Sequence, residues 1–260
     1  MAELDLLVVC IVALLASGLT FFSGFGLGTL LLPAFALFMP VEQAIAMTAV
    51  VHLLNGIFKL VLLREHIDRA VLLRFGMPAL LAALLGAWLL SALGALPALH
   101  AYVAFGLRFE ILPLKLVIGV LLLVFALIEV VPRLRGLAFD ARWLPLGGAL
   151  SGFFGGLAGM QGALRSAFLA RSGLDKEAFI ATGAAIACVI DVSRLAIYAG
   201  TFLRVFGSLD HRLLAGAVLA AFAGAWAGNR LLRTTTLRGL QRIVAAMLFV
   251  FAIGLMVGAL

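Results

Sequence analysis

The chain has 260 residues, of which 65% are hydrophobic and 12% charged, and its mean hydropathy is +1.23. Soluble domains run at about 45–50% apolar and 25% charged, so a soluble fold is excluded and an all-α polytopic membrane protein is expected. The net charge of +7 is spread over short loops and forms no patch, which argues against nucleic acid as a partner and for charges that orient the chain in a bilayer.

Segment A is expected from about Leu4 to Phe22. The acids Glu3 and Asp5 stand where a signal peptide carries basic residues, so this reads as a helix of the mature protein. A glycine-broken stretch follows, Ser23-Gly24-Phe25-Gly26-Leu27-Gly28-Thr29, and then a half-helix to Met39. Pro40 and Glu42 open segment B, which runs to about Leu63, since proline suits a helix's first turn. The polar link Arg64–Arg69 leads into segment C, about Val71 to Leu93. The connection Gly94 to Pro113 is weakly apolar and is expected to hold a short interfacial helix, before segment D, about Leu114 to Val131.

The second half retraces this plan. Its segment A2, about Trp143 to Phe154, meets a second break, Gly155-Gly156-Leu157-Ala158-Gly159-Met160-Gln161-Gly162, with Arg165 just beyond and a short apolar half-helix through Ala170. Segments B2 (about Ala178 to Phe202), C2 (from His211 to about Leu232) and D2 (to Leu260) complete it. Gly26 falls on Gly159, Thr48 on Thr182 and Lys59 on Arg194, at offsets of 133, 134 and 135 positions, and Ile67-Asp68 falls on Leu209-Asp210. Two homologous halves, 1–136 and 137–260, follow from this common order. Each opens with a glycine-broken helix or re-entrant half-helix.

Glycine lets the backbone leave the helix, and unwound backbone in hydrocarbon must be buried in protein or line a wet cavity. Paired breaks in two halves point to a transporter's substrate site; close helix packing through small residues is the competing reading. If each broken helix enters and returns on one side, thirteen of the Lys and Arg residues share a face. Arg108, Lys115, Arg204 and Arg212 take the other, with Lys59 and Arg194 inside helices. The positive-inside rule then puts the rich face in the cytoplasm and both termini outside, and an odd number of crossings inverts the second half.

Gly24-Phe25-Gly26-Leu27-Gly28, the apolar run to Pro33, and Ser151 through Gly162 together resemble the signatures of the TauE/SafE family of sulfite exporters. Ala46-Met47-Thr48 and Ile67-Asp68 are also similar to its pattern. Thr29 stands where a further glycine is common, and no proline follows the second stretch. The resemblance covers nearly the whole chain and implies a multi-pass inner-membrane carrier for a small sulfur-containing anion such as sulfite or an organosulfonate.

Ionisable side chains inside apolar spans mark functional sites by default, and Lys59, Arg165, Asp191 and Arg194 are of this kind. An arginine fork and backbone amides at half-helix starts, around Gly24, Gly26, Gly28, Gly159 and Gly162, suit an oxyanion. Snorkelling is the competing account of Lys59, and an ion pair with Asp191 three residues earlier is that of Arg194. Arg165 is read as either a site residue or a loop charge. Asp191 is a candidate carrier of a coupling proton. His52, Asn55, Thr48, Thr182 and Gln161 supply neutral ligands. Cys10 and Cys188 sit in apolar segments and read as structural. No metal or other cofactor is expected, and no nucleotide motif or enzymatic cluster is present, so gradients would drive the carrier. The competing functions are a channel-like permease for another small solute, such as thiosulfate or an organic acid, and a membrane assembly protein. Oligomeric state is not legible in the sequence.

Overall fold

The computed structural model describes residues 2–19, 27–206, 210–231 and 238–259; Gly24 and Gly26 lie outside them. In chain order the helices are α1 (Ala2–Leu19), α2 (Leu27–Ala36), α3 (Val41–Leu63) and α4 (Arg69–Gly94), with a 3-10 turn at Arg64–His66. The strands β1 (His100–Ala104) and β2 (Leu107–Ile111) come next. Then follow α5 (Pro113–Val130), α6 (Pro132–Arg135), α7 (Leu144–Ala158), α8 (Gly162–Leu169), α9 (Lys176–Phe206), α10 (His211–Leu231) and α11 (Arg238–Met256). Among the described residues, three helices are long and apolar enough to cross a membrane, Val41–His66, Arg69–Gly94 and Lys176–Ala199. The helical membrane class read from composition is the class observed.

Helix starts follow local chemistry. The Asp68 carboxylate accepts from the Val71 backbone N–H at 2.9 Å, and Asp210 does the same for Arg212 and Leu213 at 2.9 and 3.1 Å. Each satisfies amide donors that the first turn leaves unpaired. Asp175 caps α9 by accepting from the Ala178 N–H at 2.8 Å. Pro113 sits in the first turn of α5, where its missing N–H costs nothing.

The chain divides into two compact units. The first comprises Met1–Ala87 and Ala138–Thr235. Within it α3 lies along α9, α2 packs on α3, α8 on α9, α1 along α10, and α10 also meets α3. Glycines set the closest approaches: a Cβ on Gly148, Gly152 or Gly156 of α7 would overlap the carbonyls of Phe75, Ala79 and Ala83 on α4. Gly224 and Gly228 of α10 stand the same way to Leu14 and Gly18 of α1. A hydrophobic cluster of Val71, Phe75, Ala79, Ala83, Leu144, Phe168, Leu169, Ile186 and Ile190 fills the space beside α7 and α8.

The second unit comprises Trp88–Leu137 and Thr236–Leu260, with α5 packed along α11. Here the expected interfacial helix is corrected: β1 and β2 form an antiparallel hairpin, His100 opposite Ile111 and Ala104 opposite Leu107. The two-residue turn Phe105-Gly106 has φ of 53° and 77°, the positive angles that a tight hairpin needs. Tyr102 stacks on its cross-strand partner Phe109 with centroids 5.3 Å apart and donates its hydroxyl to the Val257 carbonyl at 2.7 Å. Alternation in Leu107–Ile111 is the strand signal that low overall apolarity concealed.

Candidate functional site

The site lies in the first unit, where α3, α8 and α9 converge. Helix α7 ends at Ala158 because Gly159 takes a left-handed conformation, φ 75°, and its N–H donates to the Gly155 carbonyl at 2.8 Å. A side chain is strained at that φ, so glycine is what lets the chain turn there. The connecting residues are pinned from three sides. Ser151 Oγ donates to the Gln161 carbonyl at 3.0 Å, Tyr198 OH donates to the Gly156 carbonyl at 2.6 Å, and a Cβ on Gly28 would come within 3.0 Å of the Gly159 carbonyl. The buried stretch that starts α2 therefore touches the turn between α7 and α8.

Beside this turn sits a network of ionisable side chains. Asp191, fully buried on α9, meets His52 of α3 through Oδ2 and Nδ1 at 2.6 Å. Its Oδ1 lies 2.8 Å from Arg194 Nη2 and accepts from Gln161 Nε2 at 3.2 Å. Arg165 Nη1 in turn donates to Gln161 Oε1 at 3.0 Å. Gln161 thus links the Asp191 carboxylate to the Arg165 guanidinium with both ends of its amide. Arg194 is wholly buried; its contact with Asp191 is close enough for an ion pair but not aligned as a hydrogen bond. Nε, Nη1 and Nη2 have no hydrogen-bond partner among the described residues. Its Nη1 occupies the space that a Cβ on Gly159 would need.

A cavity of about 40 Å³ opens on the other side of this network. Its lining includes Lys59 and Arg165, 8% and 4% exposed, with His52, Asn55, Ser166 and Gly183. The space is enough for a water cluster or a compact ion, which needs some 10–15 Å³ per water. No acidic residue is among those that line it. Two basic side chains thus line one small space, while the Asp191 carboxylate is engaged by His52, Arg194 and Gln161.

Four of the residues expected from the sequence therefore reach the cavity: Lys59, Arg165, Asn55 and His52. Three form the network behind it: Asp191, Gln161 and Arg194. The others stand elsewhere. Thr182 Oγ1 accepts from the Asp68 N–H at 2.9 Å, and buried Thr48 Oγ1 has no hydrogen-bond partner among the described residues. Gly28, Gly159 and Gly162 are backbone of the turn and its neighbours. The loop reading of Arg165 and the snorkelling reading of Lys59 both give way to burial. Sequence reasoning missed Ser17, which donates to Asn55 Oδ1 at 3.1 Å, together with Ser151, Ser166, Gly183 and Tyr198. A serine in an apolar run was the only trace of the first.

A family model for Sulfite exporter TauE/SafE matches residues 9–255 of the chain. The chain belongs to the TauE/SafE family. No curated protein and no solved structure matches it. TauE/SafE proteins are membrane transporters rather than enzymes, and the match spans both glycine-rich stretches of the sequence and every residue of the network.

Proposed function

We propose that the protein is a multi-pass inner-membrane secondary carrier of a small sulfur-containing anion, sulfite or an organosulfonate. In this reading its two halves are inverted repeats whose breaks meet at the substrate site. The observation that carries the reading is the pair Lys59 and Arg165 lining one cavity with no acidic residue among its lining. Both side chains are buried where they line that space, and an anion there would meet the two of them together. Arg165, oriented by Gln161, offers a fork to a sulfonyl or sulfite group; Lys59 supplies a compact charge, and Asn55 a neutral ligand. Arg194 does not line the cavity and is assigned to holding Asp191 and the turn at Gly159.

The pairing of elements supports the repeat. Helix α1 packs on α10 as α7 packs on α4; α2 packs on α3 as α8 packs on α9; and α3 meets α9, its counterpart in the other half. A pseudo-twofold axis between α3 and α9 would account for this pattern of contacts.

Uptake of labelled sulfite and of labelled methanesulfonate into proteoliposomes tests the function. Saturable uptake is expected for at least one of them. In Arg165→Ala the half-saturating concentration should rise about 10- to 100-fold, from roughly 1.5–3 kcal/mol for a hydrogen bond to a charged group. Wild-type-like uptake by a correctly folded Arg165→Ala would remove this cavity as the substrate site.

A further inference from the structure

We propose that His52 carries a proton across with the anion, and that Asp191 is the fixed partner that positions it. The inference rests on the anion-carrier reading above. His52 is the one imidazole that lines the cavity, and its side chain is 13% exposed while that of Asp191 is 0% exposed. Nδ1 is committed to Asp191 Oδ2 at 2.6 Å, which leaves Nε2 as the nitrogen available to the cavity. Both Asp191 oxygens are in use, Oδ2 by His52 and Oδ1 by Arg194 and Gln161. Of the two, the imidazole is therefore the member that the cavity reaches.

With Nδ1–H donating to Asp191, a neutral ring presents the Nε2 lone pair to the cavity, and a lone pair repels an anion. Protonation places an N–H there instead, a charged donor for the anion that Arg165 and Lys59 attract. Anion and proton thus favour each other's binding, and linkage makes the effect reciprocal. The proton binds at Nε2 from water on one face and leaves from Nε2 to water on the other, with the Nδ1–H retained throughout. The surrounding charges are those of Asp191 and Arg194 on α9, Arg165 on α8, and Lys59 two turns along α3. Cys188 is the other titratable residue of α9 near the cavity, Tyr198 lies further along that helix, and α2 and α7 contribute none. Helix α1 bears Cys10, with Glu3 and Asp5 at its start; α10 carries His211, Arg212 and Arg230 at its ends. The turn after α3 carries Arg64, Glu65 and His66.

The test is a proton count in proteoliposomes holding a pH-sensitive dye, with labelled methanesulfonate and labelled sulfite as probes, for the wild type and His52→Asn. Asparagine keeps an amide N–H near the Nδ1 position for Asp191 but takes up no proton. His52→Gln repeats the comparison with a second non-titrating side chain. The probe's own protonation is common to all three and cancels. The wild type should carry a proton more per anion than either variant. Its affinity should strengthen as pH falls on the loading side, by up to about 10-fold per unit, while the variants respond only as the probe does. Equal proton counts with measurable anion flux overturn His52 as the carrier and leave the anion reading intact. Absence of flux for both probes in the wild type overturns the anion reading, and the coupling with it.

Discussion

At the scale of single residues, the network separates two kinds of buried charge. Asp191 is held by His52, Gln161 and Arg194, so removing its charge leaves Arg194 buried without a counter-ion. Asp191→Asn should therefore lose stability by about 3–5 kcal/mol, the cost of breaking a buried pair by neutralising one member. Lys59 is the opposite case: it lines the cavity alongside Arg165, a like charge. Lys59→Met keeps the volume and deletes a desolvated cation. It should hold or raise the thermal unfolding midpoint while weakening anion binding. Unfolding in detergent, followed by intrinsic fluorescence with and without added sulfite, separates the two. A stable Asp191→Asn, or a Lys59→Met that unfolds early, would reverse the assignment. When the sequence is laid over itself Lys59 falls on Arg194, yet one lines the cavity and the other pairs with Asp191 beside the turn at Gly159. The sequence made the match legible. It did not show the difference, which comes from what packs opposite each residue.

At the scale of elements, the helices were readable and their partners were not. Hydropathy and the prolines at 40 and 113 placed α3, α4, α5 and α9 to within a few residues. His52 and Asp191, by contrast, are 139 positions apart and meet only because α3 lies along α9. Nothing local in either helix encodes that contact. The glycines of α7 were legible as a motif, but their two uses were not. Gly159 serves a positive φ, whereas Gly148, Gly152 and Gly156 serve close approach to α4. Gly152→Ala should lower the unfolding midpoint through overlap with Ala79, at about 1–3 kcal/mol for an overpacked contact. Gly106→Ala in the hairpin turn has open space around it, so only its φ of 77° is penalised, at about 1–2 kcal/mol. Combining Gly148→Ala with Gly152→Ala should add further loss along the same contact, and transport should fail with it. Circular dichroism melts of the reconstituted protein decide this; an unchanged melt for Gly152→Ala would mean that α7 and α4 do not approach so closely in the bilayer.

For the whole molecule, the carrier reading makes a demand on orientation that basic residues alone suggested. If both broken helices return to the side they came from, α3 enters from outside, and the Arg64–His66 turn is cytoplasmic. Helix α4 then delivers the β1–β2 hairpin to the outer face. Phe105 at the hairpin tip is fully exposed, and Glu65 in the turn is also exposed. Single cysteines at these two positions, in a chain with Cys10 and Cys188 replaced by alanine, should label differently with a membrane-impermeant maleimide. Phe105→Cys should react in intact cells, and Glu65→Cys only after permeabilisation. The second half supplies the inverse check. Arg171, exposed in the connection between α8 and α9, belongs on the inner face although its counterpart in the first half, around Met39 and Pro40, belongs outside. Arg171→Cys protected in intact cells, with Met39→Cys reactive, is the result that inversion requires, because it shows equivalent points of two homologous halves on opposite sides. The same accessibility at both points would make the halves parallel repeats. A pseudo-twofold axis in the membrane plane would then be lost, and with it the argument that one site is presented to the two faces in turn.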